Sequence, residues 1–382
     1  MQIGNDKKIK VALMSYSMDK RQAKGTALYT RKLLENILDD CRFEFYLVHY
    51  EKNDDPLYGR ADEILMPLVK LPYASHFISQ LLFFWQYRKR KFDIIHWFQP
   101  RVYPFFWLAP AKKIVVTTHG AGDITAPGKW IFSRKVFNLV LAGFNKKVDA
   151  FIAVSKYGVE EIRQHYHAIP QNIYFTYNGG GENFKVISKI EARQIISDKY
   201  GAGQPFILGL ARHLPHKNIT GLVRAYKILR DSFARSEKLI IAGTPDSDTK
   251  MIIKLAGESG YKDDIIFIDY IKTEDLNAFY SAAELFVFPS LQEGFGLPII
   301  EAMASGVPVI TSSLTSMPEI AGDAALLVNP HNPQEIAEKM NEVLSDMVLK
   351  EKLIQAGIAR AELFSWKITS EETKEIYIKL LS

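Results

Sequence analysis

The sequence predicts an α/β protein of two open domains in tandem, each a doubly wound parallel sheet. Three observations carry this reading. Short β-branched and aromatic runs alternate with longer amphipathic runs along nearly the whole chain. Those short runs are apolar throughout, as strands covered on both faces are. A glycine cluster, YNGGGENF at 177–184, divides them into two sets.

The first set holds IKVALMS (9–15), FEFYLVH (43–49), DIIHW (93–97), KIVVTT (113–118), DAFIAVS (149–155) and NIYFTY (172–177). The second holds FILGL (206–210), KLIIAG (238–243), DIIFI (264–268), LFVFPS (285–290), PVIT (308–311) and ALLV (325–328). Helical periodicity marks TALYTRKLLENIL (26–38), NITGLVRAYKILRD (218–231), TEDLNAFYSAA (273–283) and NPQEIAEKMNEVLSD (332–346). Strand, helix and parallel strand in succession build right-handed crossovers. The expected domains are residues 1–180 and 181–365, with the carboxyl ends of both sheets facing a ligand cleft.

Length and composition agree. At 382 residues the chain exceeds one ordinary core, and 47% hydrophobic with 24% charged residues is the balance of a soluble protein. No apolar run approaches the ~18 residues of a membrane span. The start, MQIGNDKKIKVALMS, reads as a first strand and not as a leader, so a cytoplasmic address is expected. The single cysteine, Cys41, excludes an intrachain disulfide and a cysteine-cluster zinc site. The net charge of +5 hides an asymmetry: residues 1–170 hold 26 Lys and Arg against 16 Asp and Glu, whereas 171–382 hold 22 against 27. A basic first half suits an anionic substrate or lipid surface. No nucleic-acid-binding signature accompanies it, so nucleic acid is not an expected partner.

The stretch LQEGFGLPIIEAMASGVPVI (291–310) sets Glu293 and Glu301 on either side of a glycine turn that opens a helix. Pro298 suits the first helical turn, and Gly296 allows the backbone a close approach to a ligand. Free amides at a helix start receive phosphate. Glu301 is expected in the first turn and Glu293 in the loop before it. Carboxylates repel phosphate but accept hydrogen bonds from hydroxyls. A diphosphate carrying hydroxylated groups on both sides, a nucleotide sugar, satisfies the layout. An acidic residue early in a helix also favours the dipole without any ligand. FILGLARHLPHKNI (206–219) adds Arg212 just past a strand and Lys217 before a helix. Both cations would sit at the mouth of the same sheet, a forked donor and a point charge for a diphosphate. The alternative is two solvated surface cations.

At these residues the chain resembles the retaining glycosyltransferases of family 4, with their E-x7-E region. The likeness extends to KGTALYTRKLL (24–34), DIIHW, TTHG (117–120), DAFIAVSKYG (149–158), YNGGGENF, GDAALLV (322–328) and FSW (364–366). The resemblance implies the GT-B fold, two Rossmann-like domains, with a last helix at 366–382 that rejoins the first domain. It implies an N-terminal acceptor domain and a C-terminal donor domain. By position, Glu293 lies near the donor sugar and its phosphate, and Glu301 holds the ribose hydroxyls. Arg212 and Lys217 bind the diphosphate, with backbone contacts from Phe295, Gly296 and Leu297. Tyr270 and Ile271 fall near the base, Gly25 and Thr26 in a loop closing over the phosphates, and His119 on the acceptor side. Two departures stand out. Gly120 occupies a place where the family often has aspartate, with Asp123 a possible substitute, and Asp269 precedes Tyr270 where a glycine is common.

The resemblance implies a hexosyl transfer from a UDP- or GDP-sugar to a saccharide or lipid-linked saccharide in cell-surface polysaccharide synthesis. No metal or other cofactor is expected, since Arg212, Lys217 and the amides can stabilise the leaving group. FISQLLFFWQYRKRK (77–91), RVYPFFWLAP (101–110) and GKWIFSRKVFNLVLAGFNKK (128–147) mix aromatics with cations. They suit an anionic membrane surface, or else buried helices with solvated ends. Two other functions fit the architecture: a non-hydrolysing nucleotide-sugar epimerase, which needs no acceptor, and a degenerate nucleotide-sugar-binding subunit.

Overall fold

A computed structural model describes residues 8–19, 25–52, 54–69, 75–89, 91–98, 106–120 and 145–382. The chain divides into two compact units, residues 1–178 with 366–382 and residues 179–365.

In the first unit, β1 (Ile9–Met14), β2 (Phe43–His49), β3 (Asp62–Leu65), β4 (Phe92–Trp97), β5 (Ala111–Thr118), β6 (Ala150–Ala153) and β7 (Ile173–Phe175) form one sheet. Its order is β3-β2-β1-β4-β5-β6-β7, every pair parallel. Helices α1 (Gly25–Ile37), α2 (Ser75–Tyr87) and α3 (Lys156–His165) belong to the same unit. Alternate residues of adjacent strands, such as Met14, Val48 and Trp97, enter one buried cluster with Phe83 and Phe84 of α2. Strand β3 was not expected. It is an edge strand in which Ile64 alone is buried, so the sequence carries no apolar run to announce it.

The second unit contains α4 (Lys189–Tyr200), β8 (Phe206–Leu210), α5 (Ile219–Phe233), β9 (Lys238–Ala242), α6 (Thr249–Glu258), β10 (Ile265–Ile268) and α7 (Thr273–Ala282). It continues with β11 (Leu285–Phe288), α8 (Leu297–Ala304), β12 (Val309–Ser312), α9 (Met317–Ala321), β13 (Leu326–Val328), α10 (Pro333–Ser345) and α11 (Met347–Ala361). The strand order is β10-β9-β8-β11-β12-β13, again all parallel. Local chemistry starts and stops the helices. The Ser188 hydroxyl accepts the Glu191 amide at the head of α4, and Gly201 ends that helix at φ +67°. The Asp346 carboxylate accepts the amides of Val348 and Leu349 before α11.

After α11 the chain returns to the first unit as α12 (Trp366–Leu381), which packs on α1. The Thr369 hydroxyl donates to the Tyr177 carbonyl at 2.6 Å, and Lys374 Nζ donates to Asp40 Oδ2 at 2.9 Å. Each sheet reverses its strand order once, between β1 and β4 and between β8 and β11. Chain ends diverge there, which opens a crevice for ligands at the carboxyl edge.

Candidate functional site

The loops after β8 and β11, the pair at the second reversal, carry the charged residues singled out in the sequence. Gly243, at the end of β9, has φ +142°, and a Cβ there would lie 1.9 Å from the Ala211 carbonyl oxygen. Only glycine lets β9 run this close to the segment that presents Arg212. Five residues on, Lys217 ends a tight turn held by Asn218, whose Nδ2 donates to the carbonyls of Pro289 (3.1 Å) and Pro330 (2.7 Å). Those bonds fix the turn against the end of β11.

Lys217 Nζ consequently donates to Glu293 Oε1 at 2.6 Å, with the side chains only 19% and 12% exposed. Arg212 forms an ion pair with Asp246 of the loop after β9 and is 45% exposed. The two cations therefore do share one sheet edge, but each is matched to a carboxylate of its own. The Ser247 amide, and Arg212 after it, hold Asp246 below the usual carboxylate range.

The loop from 291 to 296 is tied from below. The Glu293 amide donates to Thr315 Oγ1 at 3.2 Å, while the Ser316 hydroxyl lies 3.0 Å from the carbonyls of both Glu293 and Phe295. Phe295 sets its ring edge-on to Phe364. Gly296 precedes α8 at φ +106°, and Pro298 occupies the first turn without wasting an amide. Among the described residues, no acceptor takes the amides of Gly296 and Leu297.

Glu301 is not in the first turn. Helix α8 starts at Leu297, so the carboxylate sits one residue deeper than its distance from Pro298 suggested, just past the first turn. There the hydroxyl of fully buried Tyr280, from α7, donates to Oε2 at 2.9 Å. Burial raises the Glu301 pKa to about 7, with the Tyr280 bond opposing. The acid is thus partly protonated near neutrality and short of hydrogen-bond donors. Tyr270, past β10, exposes 67% of its surface, whereas Ile271 is buried.

In the first unit, Gly25 opens α1 with free space where a Cβ would stand, and the Thr26 carbonyl accepts the Thr30 hydroxyl at 2.8 Å. Asp123 lies outside the described residues. His119, just past β5, places Nε2 2.9 Å from the Phe98 carbonyl oxygen. A carbonyl only accepts, so Nε2 carries the hydrogen and Nδ1 keeps a lone pair. Burial pushes the His119 pKa down to about 4. The ring is neutral at physiological pH and suited to accept a hydroxyl hydrogen.

Sequence reading missed Tyr280, Asp246, Thr315 and Ser316. Each acts on a residue far away along the chain, and none sits in a pattern that marks a site. Only SMPE (316–319), with its capping-box spacing, had a local signal.

Comparison with known proteins identifies the family. A family model described as Glycosyl transferases group 1 matches residues 192–360, and one described as Glycosyltransferase Family 4 matches residues 25–179. The O-antigen chain mannosyltransferase B of Escherichia coli is 33% identical over 282 residues, 73% of each chain. The serotype-specific mannosyltransferase WbdA of Escherichia coli is 33% identical over 251 residues, 65% of this chain. The chain spans only about a third (31%) of that relative's length. Among solved structures, sucrose-phosphate synthase from Thermosynechococcus elongatus superposes with a TM-score of 0.79 at 22% identity, covering 98% of this chain and 99% of that one. WaaG, a glycosyltransferase of lipopolysaccharide biosynthesis, gives 0.71 at 14% identity over 97% and 99%. The protein belongs to the family 4 (group 1) glycosyltransferases and has their GT-B fold. Two of its relatives are named as O-antigen chain mannosyltransferases.

Proposed function

We propose that the chain transfers a hexosyl group, with retention at the anomeric carbon, from a nucleotide-diphosphate sugar to a saccharide or lipid-linked saccharide of the cell surface. GDP-mannose is the first donor to test, because relatives are named as mannosyltransferases, and a UDP-sugar is the second. The observation that supports this most is the junction of the Lys217–Glu293 pair with the unpaired amides of Gly296 and Leu297, one turn ahead of Glu301. Cation and amides suit a diphosphate, and the two carboxylates suit the hydroxyls on either side of it.

In this reading the bond from the anomeric carbon to the diphosphate breaks, and Arg212, Lys217 and the helix amides take up the developing charge. The acceptor oxygen then bonds on the same face, and its proton passes to the departing phosphate oxygen. Preorganised donors supply the stabilisation without a metal. Base recognition falls to the region of Tyr270 and Ile271, phosphate closure to Gly25 and Thr26, and the acceptor side to His119.

No helix among the described residues is long and apolar enough to cross a membrane. Helix α2 nevertheless exposes Leu82 and Trp85, the latter to 64%, with the Arg88 guanidinium 4.3 Å above the indole. The turn Phe106–Leu108 packs beside it and exposes Trp107 and Leu108. Lys89 and Lys91 are exposed as well. Interfacial aromatics flanked by cations suit an anionic lipid surface, where a lipid-linked acceptor would be met.

The test is turnover of GDP-mannose, UDP-glucose and related donors with and without a saccharide acceptor, in EDTA, followed by anomeric NMR of the product. Retained configuration in EDTA supports the reading. An inverted product refutes retention, activity restored only by manganese refutes metal-free transfer, and donor isomerisation without acceptor favours the epimerase.

A further inference from the structure

His119 is held by more than the Phe98 carbonyl. The ring of Tyr29, from α1, meets the imidazole edge-on at 4.7 Å between centroids. On its other sides Tyr29 meets Phe98 at 6.1 Å and Trp366, the first residue of α12, at 5.7 Å. Tyr29 is 1% exposed, so its ring has no free side on which to turn. Its hydroxyl faces those of Thr117 and Thr373 without closing a bond of ordinary geometry to either.

Beneath this ring lies a buried polar relay. His96 Nδ1 is 2.5 Å from the Tyr377 hydroxyl, and Nε2 is 2.7 Å from Thr117 Oγ1. Burial keeps His96 neutral, with its pKa down to about 3. One ring nitrogen must therefore donate and the other accept. The Thr373 hydroxyl donates to the Thr369 carbonyl at 2.7 Å, which leaves its oxygen to face Tyr29. Tyr377, Thr373 and Trp366 all belong to α12, so the last helix of the chain forms the back wall of the Tyr29 pocket.

We propose that Tyr29 is a positioning residue, clamped by the C-terminal helix, which fixes the His119 ring with Nε2 on the Phe98 carbonyl and Nδ1 turned to a substrate hydroxyl. The inference rests on the reading of His119 as an acceptor-side group. Chemistry at β5 then depends on a helix some 250 residues further along the chain (His119 to Trp366). The ring of Tyr29 matters more than its hydroxyl, because the ring is what meets the imidazole.

The experiment compares Tyr29→Phe, Tyr29→Leu, His119→Ala and the double variant Tyr29→Leu/His119→Ala. Donor turnover is read together with the His119 tautomer, by NMR of protein labelled with ¹⁵N-histidine. A small misplacement at a reacting centre costs on the order of tenfold to a hundredfold in rate. Tyr29→Leu is expected to lower kcat about tenfold and to leave nucleotide affinity unchanged, with His119 a mixture of tautomers. Tyr29→Phe should match wild type in both. The double variant should be no slower than His119→Ala, since residues acting through one another are not additive. Should Tyr29→Leu fail to fold, Trp366→Leu loosens Tyr29 from behind and should move the tautomer the same way.

A wild-type kcat in Tyr29→Leu, or losses that multiply in the double variant, would overturn the proposal. If His119→Ala turns over normally, the acceptor-side reading of His119 is what fails. The tautomer then decides alone: an unchanged Nε2–H form in Tyr29→Leu rejects positioning, and a mixture supports it.

Discussion

Lys217 and Glu293 link the two reversal-point loops of the second unit, Nζ to Oε1 at 2.6 Å, with both side chains largely shielded from water. A pair in such a place does more than neutralise itself. It holds the cation at the helix start, and it keeps an acid there that would otherwise repel a diphosphate.

Removing the cation should therefore hurt twice. Lys217→Ala loses a charge-assisted contact to phosphate and leaves Glu293 uncompensated, which we expect to weaken nucleotide-diphosphate binding by about 2 kcal/mol, about thirtyfold in Kd. Titration calorimetry measures it. The double variant Lys217→Ala/Glu293→Gln should recover part of the loss, and no recovery would separate the pair from the binding site.

Arg212 behaves differently because it is itself exposed, at 45%. Asp246→Asn frees the guanidinium and removes a negative charge from the same edge. Diphosphate affinity should rise a few-fold at low salt, and the gain should shrink as ionic strength increases. A loss of affinity would mean that Asp246 instead aims Arg212.

Glu301 gives the protein a specific pH signature. Its folded pKa of about 7 lies above the unfolded value, so the folded state binds a proton that the unfolded chain releases. Stability is undiminished below the unfolded pKa, falls as pH rises from there through about 7, and stays lower beyond it. Glu301→Gln should therefore raise the melting temperature at pH 8 relative to wild type, and less so at pH 5. Ribose hydroxyls favour the charged carboxylate, so nucleotide binding near pH 6 should release a proton. Calorimetry in buffers of different ionisation enthalpy reads this directly.

Most of the fold was legible because buried parallel strands are apolar from end to end, as FILGL and LFVFPS are. Strand β3 escaped because three of its four residues face solvent. Candidate site residues stood out where spacing along the chain sets them about one helix start, as from Glu293 to Glu301. Pairings closed by tertiary structure were not: Tyr280 reaches Glu301 from another helix, Asp246 reaches Arg212 from another loop, and no periodicity records either contact. The depth of Glu301 in α8 was misread for a smaller reason, since helix starts are uncertain by a residue or two. In the stretch FISQLLFFWQYRKRK, Phe83 and Phe84 enter the core, as the buried-helix reading expects, while Trp85 is exposed. Of GKWIFSRKVFNLVLAGFNKK, all but the last three residues lie outside those described.

The exposed face of α2 can be tested apart from catalysis. Leu82→Ser with Trp85→Ser should reduce flotation with vesicles containing phosphatidylglycerol, and neutralising Arg88, Lys89 and Lys91 should do the same at physiological salt. Turnover on a soluble acceptor should stay unchanged. Flotation equal to wild type in both variants would remove the membrane from the account.

The most direct measurement is a thermal-shift panel of GDP, UDP, ADP and dTDP on wild type and Glu301→Ala. A ligand that binds only the folded state adds about 2.7 kcal/mol at a hundred times its dissociation constant. The account predicts that one nucleotide raises the wild-type melting temperature and that Glu301→Ala loses most of the shift. A wild type unmoved by every nucleotide at millimolar concentration, or a shift that survives intact in Glu301→Ala, would contradict the donor site at the start of α8.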